Sequence, residues 1–400
     1  MGYFLKVTLF LVILLSVVSQ VLPQKPRKFY DNDELRKMVL ARNLAATPKN
    51  AVELLKLHEN DANKITYDKV NLGKELYFDK ILSKAKDTSC ATCHLLSKNL
   101  HDKTLYSDML TAKVNTQSDC AVCHTSDQSG TDRLQSSLGS GATPHPFTLN
   151  TQSILNTSLA RYLTWDGSVQ SVEEQAKLSI QAPHKLNLSQ EELIKRMTTS
   201  TKYTKLFAKS FKEVNLENAS LAIGAYVKTL VTRSAYDRYL DGDNSAISQE
   251  AKNGLSNFVR FGCNGCHAGV TVGGQSIQKF PVRAYNSIMD VTNSFQSEGR
   301  EVGSFGFNDG VAHSFPFENK GGFMGKEGKQ LFRVPMLRGV TKTSPYFHNG
   351  SVAKLRDAVF LMARHQVGMS LTNQQTDEII AFLTSLEGEI VEYKLEKKAK

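Results

Sequence analysis

Ser248-Gln-Glu-Ala-Lys-Asn-Gly-Leu-Ser-Asn-Phe-Val-Arg-Phe-Gly-Cys263-Asn-Gly-Cys266-His267 is the stretch that decides how this chain folds. Ser248 suits a helix N-cap, Ala251, Leu255, Phe258 and Val259 fall on one helical face, and Gly262 stops the helix just ahead of Cys263. The Cys-x-x-Cys-His run thus stands at a helix terminus. It recurs as Cys90-Ala-Thr-Cys93-His94 and as Cys120-Ala-Val-Cys123-His124, and the three copies use all six cysteines of the chain. Two thiols three positions apart can each add to a porphyrin vinyl group, and the next residue, a histidine, then reaches the iron; this is the attachment signature of c-type haem. Zinc ribbons use Cys-x-x-Cys pairs in twos and need no trailing histidine, so three pairs fit them poorly. Redox disulfides need no trailing histidine either, and the strand expected before a thioredoxin-like motif is missing. Three covalent haems are expected.

The rest of the chain favours helices. Thr372-Asn-Gln-Gln375 has capping-box form, with Ile379, Phe382, Leu383 and Leu386 as an apolar stripe closed by Gly388. Leu221 to Leu230 directs Ile223, Val227 and Leu230 to a core, and Asp237 to Asp243 reads as a polar turn. The fold class that follows is mainly α, two cytochrome c-like haem domains packed together, with few strands and long ordered loops. One such loop is the stretch from Gly303 to Gly328, rich in glycine and phenylalanine, expected to wrap a haem edge. The boundary falls at the turn: residues 25–235 form the N-terminal domain, with an additional haem segment inserted near 101–136, and 236–400 the C-terminal one.

Residues 1–24 read as a secretory signal peptide, Lys6 followed by an apolar run from Val7 to Val18 that is short for a membrane span, which leaves an N-terminal anchor as the alternative. Either places the body of the protein outside the cytoplasm, and a periplasmic location is expected. About 375 residues remain, enough for two domains. The net charge of +10 is spread along the chain and thickens only in the lysine-rich end from Tyr393 to Lys400. A basic surface favours an acidic electron-donor protein or anionic lipid, though such a tail is commonly just a solvated terminus, and no nucleic-acid partner is expected.

From Val70-Asn-Leu-Gly-Lys-Glu-Leu-Tyr-Phe-Asp79 onward the chain resembles the bacterial di-haem cytochrome c peroxidase and MauG family. Ser89 to His94, Ser153-Ile-Leu-Asn156, Trp165-Asp-Gly167, Glu174-Gln175-Ala176, Ala235 to Asp243, Cys263 to Gly269, Phe332-Arg-Val-Pro-Met-Leu-Arg338 and Ser344-Pro-Tyr-Phe-His-Asn-Gly350 carry the resemblance, in the family's order. The resemblance implies that the haem on His94 performs peroxide chemistry and that the haem on His267 receives electrons from a small donor protein, a cytochrome c or a cupredoxin. It implies Met362 as distal ligand of the His267 haem, Trp165 as the aromatic between the haems, and calcium held by Asn150, Thr343 and Pro345. It further suggests a homodimer, as relatives commonly form.

Three departures qualify this picture. Gln175, a distal polar residue, is retained, but the position of the family's acid-base glutamate is Lys185; His184 beside it titrates in the range a proton relay needs. The resting-state histidine ligand of many relatives corresponds to His145, displaced by about two residues within a flexible glycine-rich loop. The middle motif, with His124, rides on an insertion that most relatives lack, and His101, Met109 and His58 are all candidates for its sixth ligand. Three functions remain open: reduction of hydrogen peroxide to water, electron transfer without peroxidase turnover, and MauG-like oxidation of a partner. Against the last, MauG-type relatives carry tyrosine where this chain has Met362.

Overall fold

The structure, a computed structural model, describes residues 30–96, 129–282 and 315–396. The signal segment, His101, Met109, the motif of Cys120, Cys123 and His124, the part of the long loop before Phe315 and the last four lysine-rich residues lie outside the described residues.

Helices dominate. In chain order they are α1 (Asn32–Leu40), α2 (Ala51–Leu57), α3 (Tyr67–Phe78), α4 (Cys90–Cys93), α5 (Val172–Gln181), α6 (Gln190–Thr199), α7 (Thr201–Ser210), α8 (Leu216–Val227), α9 (Ala235–Leu240), α10 (Gln249–Arg260), α11 (Leu355–Met362) and α12 (Asn373–Ser385). Short antiparallel pairs join them: β1 (Leu138–Gly139) with β2 (Thr143–Pro144), β3 (Thr232–Ser234) with β6 (Gly388–Ile390), and β4 (Ile277–Lys279) with β5 (Leu331–Arg333). None of the described helices is long and apolar enough to cross a membrane.

Each half is organised around one close helix crossing. In the first, α3 meets α8 at Gly73, where a Cβ would lie 1.9 Å from the Ala222 carbonyl oxygen. Leu72, Leu76 and Tyr77 of α3 and Ala219, Ala222 and Ile223 of α8 are buried together there, with Tyr203 and Phe207 of α7 against them. In the second, α10 meets α12 at Gly254, where a Cβ would lie 1.7 Å from the Glu378 carbonyl oxygen. Only glycine permits either approach, and the contact places apolar side chains at interior packing density. The expected faces are the observed ones: Ala251, Leu255, Phe258 and Val259 are buried against Ile379, Phe382, Leu383 and Leu386. Ser248 caps α10 by accepting from the Ala251 amide at 3.1 Å, and Thr372 with Gln375 forms the capping box of α12.

The structure departs from the sequence reading in three places. Asp237 to Leu240 is helical, not a turn, because Ser234 and Asp237 cap α9 reciprocally and Asp237 is fully buried against Arg338. Gly388 does not close α12; it opens β6, where a Cβ would strike the Arg233 backbone. Residues before about Thr47 do not belong to the first half: the apolar stripe of α1, Leu35 and Val39, packs with Tyr236, Tyr239 and Leu255 in the second core. In return, Ile390 of β6 packs on the first.

Candidate active site

Around the first motif, Ser89 and Thr92 box the single turn of α4, and His94 follows as its C-cap. The His94 Nδ1 lies 3.4 Å from the Gly130 carbonyl oxygen, and the Gln152 carbonyl also holds the ring. Burial drives this imidazole down to about 4. Around the second motif, His267 Nδ1 lies 3.1 Å from the Pro335 carbonyl oxygen, and burial again brings the ring to about 4. A neutral imidazole whose Nδ1 donates to a carbonyl keeps a lone pair on its other nitrogen, the form that ligates iron. Burial also raises the thiols, Cys90 and Cys93 to about 12 and Cys263 to about 11. These residues fit covalent haem.

A cluster of polar side chains lies beside the first motif. Gln175 and Ser179 stand one turn apart on α5, and the Ser179 hydroxyl accepts both from Gln175 Nε2 at 3.1 Å and from Lys185 Nζ at 3.3 Å. Gln175 Oε1 is buried with no hydrogen-bond partner. Lys185 is held in place by its backbone: its carbonyl accepts from Ser140 N at 2.6 Å, beside Gly139, where a Cβ would strike the His184 carbonyl. Burial lowers the Lys185 pKa, and its charge is felt at both Cys93 and His94. A lysine here is thus less committed to its charged form than the sequence alone suggests.

The β1–β2 hairpin brings His145 edge-on to His184, ring centroids 4.1 Å apart. Burial, then His145 and Lys185, push His184 down to about 4, so it is neutral at ambient pH and lies below the range expected for it. Sequence reasoning missed two members of this group. Ser179 was legible as the i+4 neighbour of Gln175. Asp132 was not: it is buried beside Cys93, accepts from Leu134 N and Ser137 Oγ, and is raised by burial to about 6.

No ionisable side chain bears on His267 among the causes of its shift. Its neighbours are apolar, with the Phe258 ring centroid at 6.3 Å. Met362 ends α11, half-buried against a core containing Phe280, Phe317 and Phe360, and a single π-turn follows it.

Trp165 is fixed by contacts to two distant segments. Its Nε1 donates to the Asn150 carbonyl at 2.8 Å, and its own carbonyl accepts from Arg333 N at 2.9 Å. The Arg333 guanidinium lies 6.0 Å from the indole centroid. Asn150 Nδ2 donates to the Pro345 carbonyl, while its Oδ1 is buried without a partner. A buried amide oxygen and a nearby carbonyl at the junction of the halves are the hard oxygen donors calcium takes. Phe315 and Phe317, from the described part of the long loop, pack with Phe332 around the buried ring of His348.

Comparison with known proteins settles the kinship. The family profile described as di-haem cytochrome c peroxidase matches residues 67–115 and 103–245. The cytochrome c551 peroxidase of Pseudomonas aeruginosa is 32% identical over 335 residues, covering 81% of this chain and 80% of that one. The chain belongs to the di-haem cytochrome c peroxidase and MauG family. The cytochrome c551 peroxidase of Nitrosomonas europaea is 30% identical over 331 residues (82% of each chain), and the methylamine utilization protein MauG of Methylorubrum extorquens 27% over 343 (82% and 80%). Among solved structures, a MauG-like protein associated with microbial copper homeostasis shares the fold at a TM-score of 0.58 and 20% identity, over 82% of this chain and 91% of that one. As a member of this family the chain is an oxidoreductase of the di-haem, c-type cytochrome kind.

Proposed function

We propose that this protein is a periplasmic peroxidase that reduces hydrogen peroxide to water at the haem on His94, with electrons delivered by a small cytochrome or cupredoxin to the haem on His267. The observation that carries this reading is the asymmetry of the two surroundings: Gln175, Ser179 and Lys185 converge beside the first motif, whereas among the described residues no ionisable side chain contributes to the shift of His267.

The haem iron, when bound, supplies the redox chemistry. The chain's part is to place and move protons. Peroxide takes up two electrons and two protons to give two waters. The unmet acceptor of Gln175 orients an O–H of the substrate, and Lys185, whose pKa burial lowers, takes a proton from one peroxide oxygen and returns one to the departing oxygen. Ser179 holds both side chains in register. His184, neutral through the ambient range, serves as a further base, and His145 occupies the resting-state position on the same loop surface. Trp165 would pass electrons between the haems, Met362 would be a ligand of the second iron, and Asn150, Thr343 and Pro345 would hold calcium; the orphaned Asn150 Oδ1 supports that last assignment. The motif of His124 carries a third haem as another port for electrons.

A second reading, an electron carrier, is favoured by Lys185 standing where the resemblance places glutamate. Stopped-flow absorbance of half-reduced protein mixed with peroxide, then reduced cytochrome c, separates the two. Repeated turnover supports peroxidase function. All haems reducible but no turnover means a carrier, and full turnover in His184→Ala removes His184 from the relay.

A further inference from the structure

Two arginines five residues apart are buried in the segment that follows β4, and they are satisfied differently. Arg338, 5% exposed, donates through both terminal nitrogens to Asp237, each at 2.9 Å. That is the usual requirement for a buried guanidinium, whose charge is costly without an anion. Arg333, 2% exposed, has none among the described residues. Its Nε donates to the Thr164 carbonyl at 3.0 Å, one terminal nitrogen donates to Gln152 Oε1, and Nη1 is buried without a hydrogen-bond partner. Burial alone lowers it, to about 10, with no carboxylate opposing the shift.

The position of this unmatched cation is telling. Gln152, which Arg333 grips by its side chain, offers its backbone carbonyl to His94. Pro335, two residues on, offers its carbonyl to His267. Arg333 therefore stands between the residues that orient both histidines, beside Trp165.

We infer that Arg333 Nη1 is a binding site for a carboxylate and that its occupant is a haem propionate at the junction of the two halves. The haem c that both motifs attach brings carboxylates into this interior, and a guanidinium fork matches their geometry. The inference rests on haem attachment, not on peroxide turnover, so either can fail without the other.

The test is spectroelectrochemical titration of both haems in wild type, Arg333→Gln and Arg333→Lys, after haem content is shown equal by the pyridine haemochrome spectrum. Removing the cation leaves a buried propionate uncompensated. One haem of Arg333→Gln is expected to show a lower midpoint that falls further as pH rises from 6 to 8, whereas Arg333→Lys stays close to wild type. Midpoints of Arg333→Gln equal to wild type across that range overturn the proposal. If Arg333→Gln does not accumulate with its haems, a crystal structure of the haem-loaded wild type decides: a propionate oxygen within hydrogen-bond distance of Nη1 supports the site, and Nη1 bonded only to water or protein overturns it.

Discussion

The two haem-attachment regions share a scaffold and differ in what surrounds it. Both have a helix pair crossing at a glycine, Gly73 on Ala222 and Gly254 on Glu378. Both place a buried neutral histidine against a backbone carbonyl. Around His94, however, the second layer is Lys185, Gln175, Ser179, Asp132 and the His145–His184 pair; beside His267 stands the Phe258 ring, and no ionisable side chain contributes to the shift of its imidazole. On the proposed assignment, equivalent motifs in unlike surroundings would tune their two haems differently. Proton-handling groups suit a site where bonds break, and an apolar shell with a thioether suits one that only changes oxidation state.

The sharpest way to break that contrast is Lys185→Met. If proton delivery is local to the first site, peroxide turnover falls about 100- to 10,000-fold, while the midpoint of the haem on His267 is unchanged in the same preparation. Equal disturbance of both haems would mean that Lys185 acts on packing.

Asp132 tests the polarity of the first pocket through stability. Its folded-state pKa of about 6 lies above its ordinary 3.8. Folding therefore favours the protonated carboxyl, and the associated stabilisation is complete below about pH 3.8 and lost as pH rises through about 6. Relative to Asp132→Asn, the wild type should lose up to about 3 kcal/mol between pH 4 and 7, read from denaturant midpoints. Parallel pH curves for the two proteins would show that the carboxylate is better compensated than its burial indicates.

The shared scaffold is probed by Gly73→Ala and Gly254→Ala. Each is expected to cost about 1–3 kcal/mol by forcing the helices apart, with loss of haem confined to its own half. A large effect in one half only would show that the two crossings are not equivalent.

Much of this was legible in the sequence because it is local. Cysteine and histidine spacing identifies haem attachment, and caps and 3.6-residue stripes locate α10 and α12 within a residue or two. Asp237 was misread as part of a turn because its partner, Arg338, is about a hundred residues away and propensity cannot see it. Asp132 carried no local signal at all, since a raised carboxyl is a product of burial.

The chain by itself determined the covalent chemistry and the helical architecture, both written in short-range patterns. Only the tertiary structure decided that α1 closes the second core, that Ser179 joins Gln175 to Lys185, and that Arg333 is buried with its Nη1 unpaired and no carboxylate beside it among the described residues. The physical reason is common to all three. Desolvation and pairing depend on which distant segments exclude water from a side chain, and no spacing rule encodes that.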